Sequence, residues 1–179
     1  MAESFSNKLA RAVGVVNSST GGAIGITTNL ITGISTSGLT TGDLVDNQNY
    51  IAGTTISSIG AGQVVVDRDS TNTSSASSQV VKFLQPTTIY TSPGGTKSIL
   101  IGGTFANNTN GQVALTVSVS DNSTGITAAI ASKIPVPAGS SFVISDTGKT
   151  LLEASDALKV FCDTANAIDV NISILTGVN

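Results

Sequence analysis

The sequence predicts an all-β protein, and two observations carry that fold class. Short apolar runs recur at roughly ten-residue spacing, divided by segments rich in Gly, Asn, Asp and Ser, as in antiparallel sandwiches. No long helical pattern lies between these runs, so a parallel sheet with crossover helices is not expected. Composition agrees, because 179 residues with 19 glycines, many hydroxyls and only 11% charged residues suit short strands and tight turns.

Residues 1–16 depart from this pattern and predict a short N-terminal helical arm. The apolar residues that recur at the spacing of one helical face are Phe5, Leu9, Ala12, Val13 and Val16. A helix this short is marginal alone in water, so the segment should pack on its own domain or dock on a neighbouring protein. Its terminal position favours docking. The candidate contact residues of this arm are Phe5, Leu9, Arg11 and Val13.

Residues 17–85 predict a small β module that resembles a barrel. Ile24, Ile26, Leu30 and Ile34 are separated by Thr residues, and Gln63 to Asp67 has the composition of a strand. Residues 69–79 are polar and too long for a tight hairpin turn, so they predict a mobile loop. The run "VVKFL" then closes the module as one more strand.

Residues 86–179 predict an antiparallel β-sandwich of jelly-roll or immunoglobulin-like type. Gly102–Gly103 interrupts one strand and indicates a bulge, while Pro135 and Pro137 indicate an edge or a corner. The segment "TLLEASDALK" is interpreted as a strand end and a loop, with Leu152 buried. Alternation places these residues on inward faces: Val113, Leu115, Val117, Val119, Leu158, Val160, Cys162, Ile168, Val170, Ile172 and Ile174.

Few residues suggest chemistry. Asp43, Asp46 and Asn47 could offer oxygen atoms to Ca²⁺, but that ion needs about 6–8 of them, and turn-forming hydrogen bonds explain these residues as well. Cys162 has no His to activate it, because the chain contains none, and we expect it to be a buried strand residue. We predict no catalytic residues, no metal and no cofactor.

Composition also bears on partners. The net charge of -3 and the scattered Lys and Arg residues do not favour binding to nucleic acid. No apolar stretch approaches the ~18 residues of a membrane span, and the N-terminal residues lack the pattern of a secretory signal. We therefore expect neither a nucleic acid nor a membrane as partner.

Two stretches carry a family resemblance. Residues 30–71 contain "TGISTSGLTTGDLV" and "IAGTTISSI", and residues 96–178 contain "IPVPAGSSFVI", "LLEASDAL" and "ANAIDVNISIL". The first resembles a short β module of bacteriophage virion and tail-fibre proteins. The second resembles a β-sandwich found in phage structural proteins. Over the whole chain the similarity is to structural proteins of tailed bacteriophages, particularly the cyanophages of marine cyanobacteria.

The resemblance implies a virion component, assembled in the host cytoplasm, without enzymatic activity. It implies a capsid decoration or cement protein that binds the major capsid protein or other virion proteins and forms a homo-oligomer, preferably a trimer. A neck, tail or fibre-attachment protein is the alternative. A second alternative, a module that binds glycans of the host surface, would need exposed aromatic platforms, and only Tyr50 and Tyr90 are present as tyrosines.

Overall fold

The computed structural model describes residues 3–145 and 149–178. Within these residues the regular structure consists of β-strands alone, and every strand pair is antiparallel. The predicted all-β class is confirmed. In this part of the chain no helix has the length and apolar character that a bilayer crossing requires.

The chain divides into two compact units. Unit 1 comprises Met1–Val13, Pro86–Cys162 and Asn166–Asn179, and unit 2 comprises Gly14–Gln85 with Asp163–Ala165. Each unit has its own cluster of buried apolar residues.

Unit 2 contains six short strands in one sheet. The strands are β2 (Val15–Ile24), β3 (Leu30–Thr32), β4 (Leu44–Asp46), β5 (Ile56–Gly60), β6 (Gln63–Val66) and β7 (Ala76–Leu84). Their order in the sheet is β4-β7-β2-β3-β6-β5. A bridge between Leu44 and Thr55 joins the two ends of this order, so the sheet closes on itself. The barrel-like module expected from the sequence is present.

The interior of unit 2 is filled by side chains from all around the barrel, as in other small barrels. Ile31, Val64, Val81 and Phe83 are each 0% exposed. Ile26, by contrast, lies in the turn between β2 and β3 and is exposed.

Unit 1 is a two-sheet arrangement. Its strands are β1 (Ser4–Ala10), β8 (Thr87–Thr91), β9 (Lys97–Asn107), β10 (Val113–Ser120), β11 (Thr127–Val136), β12 (Ser141–Ile144), β13 (Thr150–Leu152), β14 (Ala157–Cys162) and β15 (Ile168–Val178). One sheet has the order β1-β15-β9-β12, with β13 also paired to β9, and the other has the order β11-β10-β14-β8. We call them the five-stranded and the four-stranded sheet.

The core of unit 1 follows the predicted alternation. The inward residues of β10, β14 and β15 belong to one buried cluster, in which Val119 is partly buried, and Cys162 is 0% exposed on β14. Leu152 and Leu158 are buried on either side of the turn that follows β13. The interpretation of Cys162 as a buried strand residue is confirmed.

Local irregularities also fall where the sequence places them. The register between β9 and β15 shifts between Ser173 and Ile174, so β9 has a bulge beside Gly102. Strand β11 contains Pro135 and lies at the edge of its sheet, where a missing N–H group is tolerated.

The predicted N-terminal helix is wrong. Residues 4–10 form β1, which pairs with β15 along its whole length, from Ser4 opposite Thr176 to Ala10 opposite Val170. The physical reason is that a short helix rich in Ser and Asn gains little by itself, whereas a ladder on an existing sheet satisfies the backbone at once. The side chain of Val16 lies outside the described residues.

The mobile loop expected over residues 69–79 is also corrected, because part of this run is a strand and part is bonded to the barrel. Strand β7 begins at Ala76, so the second half of the polar run belongs to the sheet. The first half is bonded to the barrel: the Ser70 N–H donates to the Thr28 carbonyl at 2.8 Å, and the Thr71 N–H donates to the Asn49 carbonyl at 2.8 Å. The polar residues of this run are therefore held to the barrel by hydrogen bonds. Composition alone does not reveal these bonds, because the same residue types are typical of mobile loops.

Candidate interaction surface

The outer face of the five-stranded sheet carries a row of apolar side chains that crosses four strands. Phe5 lies opposite Leu175, Leu175 lies opposite Ile99, and Ile99 lies opposite Leu151. Phe5 is 63% exposed and Leu151 is 47% exposed, while Leu175 and Ile99 are half-buried between them. We call these four residues the apolar row.

The apolar row exists because β9 and β15 carry apolar residues on both faces. Successive strand residues point to opposite faces, so Leu100 and Ile174 enter the core while Ile99 and Leu175 point away from it. The neighbouring outward positions include the small, neutral residues Ser173 and Thr104. They also include Lys97 and Glu153, which form an ion pair of 3.1 Å beside Ile99 and Leu151. A partner that covered the apolar row would remove apolar area from water, with this ion pair next to the covered area.

Strand β1 forms one edge of this surface. Its outward residues are Phe5, Asn7 and Leu9, and the Ser173 hydroxyl donates to the Asn7 side-chain oxygen at 2.9 Å across the same face. Leu9 is 75% exposed. Thus β1 presents two large apolar side chains on either side of an amide.

The end of β1 is fastened to β15. The Arg11 guanidinium lies 3.5 Å from the Asp169 carboxylate, and the Ala12 N–H donates to the same carboxylate at 3.3 Å. Ala12 adopts a left-handed conformation with φ of 52°, which turns the chain so that Val13 enters the core and its N–H reaches the Ile168 carbonyl. Residues 4–13 are part of unit 1 rather than a separate arm.

The four candidate contact residues consequently have different environments. Phe5 and Leu9 are exposed on one face of β1, and the Arg11 side chain is 89% exposed just beyond it. Val13 is 1% exposed and belongs to the core. Sequence reasoning did not find Ile99, Leu175 and Leu151 as surface residues. The signal for them was the presence of adjacent apolar residues, as in "SILI" and "SIL", where one of two neighbours must face outward.

The residues that could have offered oxygens to a cation lie on either side of β4 and at its end, Asp43 before the strand, Asp46 as its last residue and Asn47 after it. Both Asp43 carboxylate oxygens accept bonds from Thr40, from its N–H and its hydroxyl at 2.8 Å each, and Gln85 donates to Asp43 at 3.1 Å. The Asn47 side-chain oxygen accepts from the Asn49 N–H at 2.9 Å. Among the described residues no group of three or more Asp, Glu or Cys side chains is arranged to hold a metal ion.

The two tyrosines point inward. Tyr50 is 6% exposed and donates to the Thr28 carbonyl at 3.1 Å. Tyr90 is 8% exposed and its hydroxyl lies 2.8 Å from the Ser98 hydroxyl and 3.0 Å from the Thr176 hydroxyl. Neither ring is available as a flat platform for a sugar. Their hydroxyl groups instead make hydrogen bonds that hold the two rings in place within the protein.

No protein-family model matches the chain, and no curated protein matches it. Among solved structures, the chain is similar to a structure of infectious bursal disease virus Gt strain, with 9% identity, a TM-score of 0.32, and coverage of 98% of this chain and 72% of that chain. A viral-particle crystal structure of the same virus gives 11% identity and a TM-score of 0.31, covering 98% and 69%. Arthrobacter globiformis isomalto-dextranase complexed with panose gives 12% identity and a TM-score of 0.25, covering 97% and 34%. Similarity at these scores does not establish a common fold, and no function is inferred from it.

Proposed function

We propose that this chain is a non-catalytic structural component of a virion that acts through a protein–protein interface on the five-stranded sheet of unit 1. The observation that carries the proposal is the apolar row, which leaves Phe5 63% and Leu151 47% exposed in a chain with only 11% charged residues. Exposed apolar side chains that adjoin one another on a sheet are typical of surfaces that another protein covers. The phage-like sequence stretches supply the identity of the assembly.

Within the virion, the proposed role is that of a capsid decoration or cement protein. Such a protein binds the assembled lattice and not the free subunits, so by mass action it stabilises the lattice against dissociation. The surroundings of the apolar row, which contain hydroxyl groups and the Lys97–Glu153 ion pair, suit a contact in which ordered water fills the rim. Attachment at the neck, tail or fibre would use the same surface and is the alternative position.

The glycan-binding alternative has no supporting observation. Both tyrosines are buried with bonded hydroxyl groups. The most exposed aromatic ring in the described part of the chain is Phe5, which lies within the apolar row. A row of aliphatic neighbours favours a protein partner over a sugar.

Quantitative mass spectrometry of purified virions tests the proposal first. We expect the chain at a fixed ratio to the major capsid protein, and its absence from particles would refute the structural role. Electron microscopy of particles that carry a labelled chain then separates the capsid surface from the tail.

A pair of matched variants tests the surface itself. Leu151→Asp places a charge in the apolar row, whereas Ile126→Asp places it at a 64% exposed position in the turn before β11. Both positions are solvent-exposed, so both variants should fold with little change in stability. We expect Leu151→Asp to lose particle binding and Ile126→Asp to retain it. Equal binding by both would exclude the apolar row as the interface.

A further inference from the structure

Strand β1 is an open sheet edge with little protection. Among the described residues it pairs with β15 alone, and the register over its seven residues, SFSNKLA, shows no shift. It contains neither Pro nor Gly, and one charged residue, Lys8, lies within it. Natural sheets generally shield such edges with prolines, bulges or charged side chains, because a straight edge pairs readily with another strand, and Lys8 is the one such feature within β1.

We propose that β1 pairs antiparallel with β1 of a second copy of this chain, around a two-fold axis at Asn7. In this register, the numbers of any two residues that lie opposite each other add up to 14. Phe5 then faces Leu9 of the second copy, Asn7 faces Asn7, and Glu3 faces Arg11. The two five-stranded sheets become one continuous sheet.

Charge complementarity selects this occupant and this register. Glu3 and Arg11 are both exposed and carry opposite charges. Because of the two-fold symmetry, the dimer would contain two such pairs, each between Glu3 of one copy and Arg11 of the other. Lys8 would lie opposite Ser6. Opposite charges in directly facing positions stabilise a strand pair, and like charges destabilise it.

Neighbouring registers are less favourable. Shifting the second copy by two residues in one direction places Glu3 opposite Leu9. Shifting it in the other direction places Lys8 opposite Lys8 and Phe5 opposite Arg11. A shift by one residue would place the outward face of one strand beside the inward face of the other. The sequence of β1 and its flanks is thus self-complementary in one register.

The pairing also accounts for the two large apolar residues that β1 exposes. Phe5 and Leu9, at 63% and 75% exposure, would cover each other across the new strand pair. Aromatic side chains paired with aliphatic ones across strands contribute to sheet stability. The apolar row of one copy would then end on Leu9 of the other. This contact is isologous and closes as a dimer, not as the trimer that the phage resemblance implies. It does not rest on the proposed virion role.

Cross-linking of single cysteine variants tests the register. In the proposed dimer, two Asn7→Cys side chains face each other with Cβ atoms about 5 Å apart. Two Leu9→Cys side chains are four residues out of register, about 13 Å apart. The native Cys162 is 0% exposed and should not interfere. Under mild oxidation we expect disulfide-linked dimers of Asn7→Cys and almost none of Leu9→Cys. The reverse result, or equal yields, would overturn the proposed register.

Sedimentation equilibrium tests the association. The full chain should show a monomer–dimer equilibrium. A chain that stays monomeric up to about 1 mM, or that forms a trimer unaffected by β1 variants, would overturn the proposal. Leu9→Lys should abolish the dimer, whereas Val143→Lys, on the same face at the far end of the sheet and 55% exposed, should leave it intact.

Charge reversal separates pairing from misfolding. Glu3→Lys should raise the dimer dissociation constant about ten-fold, because two facing pairs become repulsive. Adding Arg11→Glu to the same chain should give tighter association than either single change alone, even though it also removes the ion pair between Arg11 and Asp169. Thermal unfolding by circular dichroism checks that each variant is folded. Failure of the second change to recover affinity in a folded chain would exclude the Glu3–Arg11 contact.

Discussion

Leu44 and Thr55 form the antiparallel bridge that closes the barrel of unit 2. Beside this bridge, the Val45 N–H donates to the Thr54 carbonyl at 2.9 Å, and the Ile56 N–H donates to the Asp43 carbonyl at 2.9 Å. The first and last strands of the sheet are thereby joined, and unit 2 has no open edge at this seam. A closed sheet does not offer the unpaired backbone groups that promote aggregation.

Asp43 supports this seam, and its removal should weaken unit 2. Asp43→Ala deletes the acceptor of bonds from Thr40 and Gln85 in a position that is 5% exposed. We expect a loss of about 1–3 kcal/mol in the free energy of unfolding, measured by urea denaturation. Asp46→Ala, at an exposed position three residues further on, should change stability by less than about 0.5 kcal/mol. Similar losses for both variants would contradict the structural role of Asp43.

Gly103 is required by close packing in the core of unit 1. A Cβ atom built there would lie 2.7 Å from a methyl carbon of Ile172 and 3.4 Å from the ring of Phe105. Gly103→Ala should therefore lower the free energy of unfolding by about 1–3 kcal/mol through overpacking. Gly111→Ala is the control, because a Cβ atom there meets nothing within 4 Å. Thermal unfolding of the two variants should rank Gly103→Ala well below Gly111→Ala, and equal midpoints would refute the packing argument.

Asn107 holds three segments of unit 1 together. The two N–H bonds of its side-chain amide are shared among the carbonyl oxygens of Gly111, Val136 and Pro137, which lie 2.8, 2.9 and 3.1 Å from Nδ2, and the residue is 2% exposed. Asn107→Asp replaces this donor with a carboxylate oxygen that faces carbonyl oxygens. We expect a loss of about 3 kcal/mol or more in the free energy of unfolding at neutral pH.

Asn110→Asp provides the matched control, because Asn110 is exposed in the adjoining turn. It introduces the same charge and should be nearly neutral. The stability of Asn107→Asp should recover partly at low pH, where the new carboxyl group becomes protonated and can donate. A pH-independent difference between the two variants would argue against the proposed repulsion.

Tyr50 makes the stability of unit 2 sensitive to alkaline pH. Burial, with a smaller contribution from the charge of Asp69, raises the pKa of Tyr50 from 10.0 to about 12. Below a pH of about 10 both folded and unfolded chains retain the phenolic proton, so its contribution to stability is complete. Between about pH 10 and 12 the unfolded chain loses the proton first, and stability should fall as pH rises.

Tyr50→Phe should remove that part of the alkaline slope when denaturant unfolding is repeated at stepwise pH. The absorbance of tyrosinate provides the direct measurement, since the Tyr50 signal should develop only near pH 12 in the folded protein. An unchanged slope in Tyr50→Phe would show that the tyrosine does not titrate differently in the folded and unfolded states.

Predictions from sequence were most successful in β10, β14 and β15, where long strands have one face in the core. The alternating residues Ile168, Val170, Ile172 and Ile174 are all buried, as the pattern predicts, because every second residue of such a strand faces the core and is apolar. The same reasoning failed at residues 4–10. Phe5 and Leu9 are spaced for a helix and also for one face of a strand, and a segment of this length satisfies both patterns.

The sequence by itself determined the all-β class, the buried faces of the long strands and the turns that Gly, Asn and Asp impose, because these depend on local conformational preference and on periodicity. The tertiary structure decided three further features: the pairing of β1 with β15, the closure of the barrel at Leu44 and Thr55, and the apolar row. Each depends on backbone hydrogen bonds or side-chain neighbours between segments distant in sequence. In the first case, Phe5 and Leu175 become neighbours on one face only after β1 has paired with the last strand.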